Sequence, residues 1–248
     1  MKNIILLILF ILPLTTFAEN RIKIAVIDTG VSHLMSQEKF MCKGKPVSTA
    51  HNSPYDDHGH GTNVIGIIGQ EIDPKTHCIV SIKFYNKLHS NVQTVKSTVK
   101  ALKLVLADRS IRYLNLSLGG GQSYSIEKKY IRRLLIRGVT ITAAAGNEGK
   151  SLDTEQGKYY PASYRETLKF PNFRVVGSKL PSSNYGKIVT DVRSGDRVKP
   201  NFWYARRLSG TSQAAAQKMA EIIRNVVLYN TGDINGQQKV DKRGKCYR

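Results

Sequence analysis

The sequence has only three cysteines, Cys42, Cys78 and Cys246, among its 248 residues, so it can close one internal disulfide and leaves one thiol over. Cys42 with Cys78 is the favoured pair. None of the three lies in a Cys/His setting, which argues against a cysteine nucleophile, and their spacing matches no zinc site. Acidic residues are also scarce, 18 against 38 Lys and Arg, for a formal net charge of +20. A field of that sign attracts anionic surfaces of any kind. No nucleic-acid-binding motif accompanies the charge, so no specific nucleic-acid partner is expected. The basic residues are scattered, and the dense stretch from Lys128 to Arg137 alternates with Ile126, Tyr130, Ile131, Leu134 and Leu135, as on the solvated face of an amphipathic helix.

Long hydrophobic runs are missing as well. The one candidate, Ile4 to Leu14, is shorter than the roughly 20 residues a membrane span needs. With Met1-Lys2-Asn3 before it and Thr16-Phe17-Ala18 after it, it follows the pattern of a signal peptide cut after Ala18. The expected organisation is therefore a signal peptide over residues 1–18, one domain over 19–230 and a basic tail over 231–248, the product being secreted or periplasmic. No internal repeat or long linker divides the chain.

What is present is an alternation of strand and helix patterns. Apolar runs at Ile22 to Ile27, Ile79 to Phe84, Arg112 to Ser117 and Val139 to Ala145 read as strands. Between them, Val92 to Ala107, with Asn91 as cap and Val92, Val95, Val99, Leu102, Val105 and Leu106 inward, and Ile126 to Arg137, stopped by Gly138, read as helices. A helix opens near Ser212 and runs to about Asn230, with Ala215, Met219, Ile222, Ile223, Val226 and Val227 at helical spacing. The runs at Arg174 to Val176 and Ile188 to Val192 add late strands or a hairpin, and Val31 to Tyr55 reads as an irregular surface connection. This order predicts an α/β fold of three layers, α/β/α, on a mostly parallel sheet with right-handed crossovers.

Several chemistry-bearing residues stand at the ends of these elements. Asp28 follows the first strand, where open α/β sheets present functional groups. A hydrophobic run into Asp-Thr-Gly also marks aspartic proteases, but those need two such aspartates and one is present; a homodimer would leave the later motifs unexplained. His60 sits between two glycines at the start of a small-residue apolar helix. His58 and His60 beside Asp56 and Asp57 could ligate a metal, yet no third ligand cluster accompanies them, and His58 reads as a loop residue. Ser212 opens the last helix, where unpaired N–H groups favour developing negative charge, although serine there is also an ordinary cap.

Together, Val26-Ile27-Asp28-Thr29-Gly30, His60-Gly61-Thr62-Asn63-Val64-Ile65-Gly66, Ala144-Ala145-Gly146-Asn147 and Gly210-Thr211-Ser212-Gln213-Ala214 resemble the subtilisin-type serine proteases, over Ile22 to Tyr229 and in the same Asp, His, Ser order. The resemblance implies a triad in which Asp28 orients His60, His60 acts as general acid and base, and Ser212 attacks. It implies that the Asn147 amide and the Ser212 N–H hold the oxyanion, and that Ser117, Leu118 and Gly119 pair with an extended substrate backbone. Ala144, Ala145 and Gly146 would then face them across the primary side-chain pocket. The implied partners are protein or peptide substrates. A catalytically silent binding relative, or an esterase with the same triad, are the rival readings.

The sequence departs from that family in places. Asn63 stands for a usual second histidine, Gln213 for a methionine and Ala216 for a proline. A strand expected within a few residues of Ala18 would leave no room for the propeptide that secreted relatives usually carry, so the chain is expected to fold either over a lower barrier or with a separate partner, a folding partner or inhibitor being one reading. No metal or other cofactor is expected; calcium finds no convincing acidic ligand loop.

Overall fold

The computed structural model describes residues 20–51, 53–231, 239–240 and 246–247. The predicted signal peptide and most of the basic tail lie outside the described residues. At the centre is β1, Ile22–Asp28, buried without alternation from Ile24 onward, as expected of a parallel strand covered on both faces. It lies between β3, His77–Lys83, and β4, Ile111–Leu116. Outward from β3 runs β2, Val47–Ser48; outward from β4 run β5, Thr140–Ala144, β6, Phe173–Ser178, and β7, Asp191–Arg193. The order β2-β3-β1-β4-β5-β6-β7 is parallel throughout. Because the chain leaves β1 toward β3 and then returns past it to β4, the strand order reverses at β1. The carboxyl ends of β1 and β4 open a crevice there.

Residues that alternate along β1 feed two separate cores. Ile24 and Val26, with Ile79 of β3, pack under α1, His60–Gly69, and α4, Thr211–Thr231. Ala25 and Ile27, with Leu114 and Ile141, pack under α2, Asn91–Ala107, and α3, Ser125–Ile136. The result is the three-layer α/β/α arrangement with a parallel sheet. Helix α1 is buried along nearly its whole length, Val64, Ile65, Ile67 and Ile68 included. Each fully buried side chain of that size contributes about 1.5–3 kcal/mol, so α1 is anchored along its length behind His60.

Several expectations need correction. The cap of α2 is Ser90, not Asn91: its Oγ accepts from the Gln93 N–H while Gln93 Oε1 accepts from the Ser90 N–H, a reciprocal capping box. Asn91 is thereby the first helical residue, and Val92 faces solvent rather than the core. Ile126 and Val226 are also substantially exposed. Of the two forms expected for the late apolar runs, late strands or a hairpin, the structure has the first: β6 and β7 add in parallel. The stretch from Val31 to Tyr55 carries β2 and buries Met35. Cys42 and Cys78 are bridged, which fastens the segment before β2 to the start of β3. Lys239–Val240 and Cys246–Tyr247 pair as a separate antiparallel ribbon, β8 and β9. Among the described residues no helix is long and apolar enough to cross a membrane.

Candidate active site

Asp28 is the last residue of β1 and is 2% exposed. Its Oδ1 accepts from the Thr29 N–H and lies 2.7 Å from His60 Nδ1; Oδ2 has no partner among the described residues. An ionised carboxylate only accepts, so Nδ1 carries the proton and Nε2 is the free nitrogen of the neutral ring. Gly61 makes this approach possible, because a Cβ there would stand 2.2 Å from Gly30 O and 3.2 Å from Asp28 Oδ1. Burial disfavours a charged His60, but the adjacent Asp28 carboxylate, through its charge and hydrogen bond, and Asp56, through its charge, outweigh that and hold the imidazole pKa above its ordinary value.

The start of α1 is held by a residue to which the sequence reading gave no role of its own. Asp56 accepts from the backbone N–H groups of His58, Gly59 and Thr62 and from the hydroxyls of Thr29 and Thr62. It therefore caps α1 from outside the helix and ties it to the end of β1. An aspartate shortly before a glycine and a helix start is the local signal that could have found it. Buried Lys83, at the end of β3, donates to Tyr55 O at 2.8 Å and to Asp57 at 2.9 Å, fixing the same loop. His58 is an exposed loop residue whose carbonyl accepts from Arg206.

Ser212 lies in the first turn of α4. Asn147 Oδ1 accepts from the Thr211 N–H at 2.8 Å, and Thr211 Oγ1 accepts from the Gly146 N–H at 3.1 Å. These two bonds lock the loop after β5 to the helix start, and Asn147 itself is solvent-exposed. With its oxygen engaged, Asn147 presents its amide N–H₂ beside the first-turn N–H groups of α4, which have no intrahelical acceptor. From the other side Thr142 donates to Asn115, Asn115 to Ser117 Oγ, and Ser117 Oγ to the Ser212 carbonyl. This relay across β4 and β5 sets the backbone of the nucleophile candidate, and no sequence pattern announced it.

The Ser212 hydroxyl donates to the Ser117 carbonyl at 3.2 Å, and among the described hydrogen bonds none joins it to His60. A hydroxyl rotates to suit its surroundings, and catalytic hydrogen bonds are commonly loose until substrate binds. Behind Ser212, the two unusual residues meet: Gln213 Nε2 donates to Asn63 Oδ1 at 3.0 Å, and Asn63 Nδ2 donates to the carbonyls of Val198 and Arg206. Both are fully or nearly fully buried. Two departures that look independent in the sequence form one satisfied polar pair.

The structure thus brings Asp28, His60, Ser117, Gly146, Asn147 and Ser212 to one end of the sheet. Beside Leu118, Gly119 and Gly120 runs a cleft of about 480 Å³, bordered also by Tyr85, Val95 and Tyr160. A carboxylate-oriented imidazole, a hydroxyl at a helix N-terminus and converging amide donors are the parts needed for acyl transfer.

Residues 19–220 match the sequence model of the Subtilase family, Peptidase_S8. The chain is 29% identical over 217 residues to the minor extracellular protease Epr of Bacillus subtilis (strain 168), covering 80% of this chain and 31% of that protein. It is 26% identical over 210 residues to the major intracellular serine protease of the same organism, covering 78% and 65%. The chain therefore spans about a third and just under two thirds of these relatives' lengths. Among solved structures, a cold adapted subtilisin-like serine proteinase superposes with a TM-score of 0.62 at 25% identity, covering 90% of this chain and 86% of that one.

Proposed function

The chain belongs to the Subtilase family, and from that membership we propose that it is a serine endopeptidase cleaving peptide bonds through an acyl-enzyme on Ser212. In this reading His60 takes the Ser212 proton as the hydroxyl attacks the scissile carbonyl, and Asp28 orients and stabilises the resulting imidazolium. The oxyanion is held by the Asn147 amide and the Ser212 N–H. His60 then returns the proton to the leaving amine, and water, activated by the same imidazole, releases the acid. Ser117, Leu118 and Gly119 align the substrate backbone, with protein or peptide substrates lying along the adjoining cleft. The observation that carries the reading is the 2.7 Å contact of His60 Nδ1 with buried Asp28, at the same sheet end as a serine on a helix N-terminus.

The rival is a silent, peptide-binding relative: the Ser212 hydroxyl donates to Ser117, and among the described hydrogen bonds none joins it to His60, an arrangement compatible with either reading. Labelling the folded protein with a fluorophosphonate separates the two. The peptidase reading expects one label, lost in Ser212→Ala; an unlabelled, folded wild type would establish the silent one. We also propose export, supported by the Met1 to Ala18 pattern. N-terminal sequencing of the protein recovered outside the cytoplasm should begin at Glu19.

A further inference from the structure

The two stretches that face each other across the primary side-chain pocket in the proposed peptidase are Ser117 to Gly119 and Ala144 to Gly146. The structure shows what occupies the space between them. A Cβ built on Gly119 would lie 2.3 Å from Tyr159 Cε1 and 2.8 Å from its Cζ, while one built on Gly146 would lie 2.9 Å from Tyr159 Cδ2. Cε1 and Cδ2 belong to opposite edges of one ring. The Tyr159 ring therefore bridges the gap, one edge against each wall, and both walls have a glycine where it touches.

The ring is held there. Gly120 and Tyr160 exchange two backbone hydrogen bonds, of 2.9 and 2.7 Å, that bring the chain at Tyr159 alongside Gly119. The Tyr159 N–H donates to Ser163 Oγ, and the Ser163 N–H returns a bond to the Tyr159 carbonyl at 2.8 Å. The side chain also packs on the core beneath α2 and α3. Beside it, the Glu148 carboxylate accepts from Asn184 Nδ2, which also donates to Ala145 O. Burial, with the Glu148 charge nearby, pushes the Tyr159 hydroxyl up to about 12, so it stays a neutral phenol at physiological pH.

We infer that Tyr159 fills the primary side-chain pocket and restricts cleavage to bonds that follow small residues, Gly, Ala or Ser. An aromatic, a long aliphatic or a cationic side chain would have to displace a packed ring, whereas a methyl or hydroxymethyl group rests against it. This rests on the peptidase reading above and adds to it a substrate class that the family match alone does not supply.

The test is a set of internally quenched peptides that differ only in the residue before the scissile bond: Gly, Ala, Ser, Leu, Phe and Lys. The wild type should give a kcat/KM for Ala at least about a hundredfold above that for Phe or Lys, and Tyr159→Gly should raise the Phe-to-Ala ratio about tenfold or more. Because Tyr159 also packs on the core, Tyr159→Ala and the wild-type profile are read beside it. A wild type that cleaves as well after Phe or Lys as after Ala overturns the inference, as do folded variants with an unchanged ratio. If Ser212 is labelled by fluorophosphonate while the small-residue preference is missing, only the pocket assignment falls. If nothing is labelled and no peptide is cut, the proposed function falls and takes the pocket with it.

Discussion

Asn147 uses the two ends of its side chain for different tasks. Its oxygen is spent on the Thr211 N–H, which fixes the amide; in the proposed mechanism its nitrogen is then left to meet developing charge. Asn147→Ala should therefore lower kcat by about 10²–10³ with little change in KM, the usual cost of one oxyanion donor; steady-state kinetics on a peptide substrate check it, and an unchanged kcat contradicts the role. As the proposed general base, His60 would set the pH dependence. Burial favours the neutral ring, but the Asp28 charge and hydrogen bond and the Asp56 charge together raise its pKa. The base must be neutral to work, so kcat/KM should fall as pH drops through a midpoint above that of an ordinary histidine. Asp28→Asn removes the largest raising influences and leaves the burial. Its acid limb should move to lower pH while the plateau drops by about 10⁴. A plateau loss with an unmoved limb would mean that Asp28 does not control the His60 proton. At this scale the positions were legible: Asp28, His60, Asn147 and Ser212, singled out by their motifs, lie at one end of the sheet. Asp56 was passed over although its partners His58, Gly59 and Thr62 are local; the Thr142–Asn115–Ser117 relay was not legible, because its links to β5 and to Ser212 join residues remote in sequence and leave no spacing to read. Nor was the meeting of Asn63 with Gln213, 150 residues apart.

At the scale of elements, strong periodicity located the helices, and the errors fall where local chemistry decides. Ser90 beats Asn91 as a cap because Gln93 completes the reciprocal box. The 31–55 stretch looked empty because a two-residue strand is too short to show alternation. Helix α3 carries a buried acid in its first turn: Glu127 lies 2.6 Å from the Tyr164 hydroxyl. Burial raises its pKa and the Tyr164 hydrogen bond only partly opposes this. A raised carboxyl favours the protonated form in the folded state. No stability is lost below the unfolded pKa, it declines as pH rises through the folded pKa, and the deficit is then constant. Glu127→Gln keeps an acceptor for Tyr164 without the charge. Its stability relative to wild type should grow as pH rises through the carboxylate range and level off, as measured by urea denaturation; a difference independent of pH would contradict the assignment.

For the whole molecule, the fold class followed from alternating strand and helix patterns, and the right-handed, parallel solution left little else for them to form. The order of the outer strands did not, since β6 and β7 contain too few apolar residues to distinguish a hairpin from parallel addition. The Cys42–Cys78 bridge closes a loop with a sequence separation of 36, over which Phe40 O and Ile79 O already bond across to Ile79 and Cys42. Closing a loop of that size is worth roughly 2–4 kcal/mol. The Cys42→Ser, Cys78→Ser double variant should lose about that much in urea, and an unchanged midpoint would show that the backbone bonds suffice alone.

In the proposed mechanism Ser212 becomes acylated with His60 as its base. Intact-mass analysis of the protein quenched in acid during turnover of an activated ester, followed by peptide mapping, tests that directly. One acyl group should be found on Ser212 in the wild type, strongly depleted in His60→Ala. Product formed without an adduct on Ser212, or an adduct that forms at full rate without His60, would contradict it.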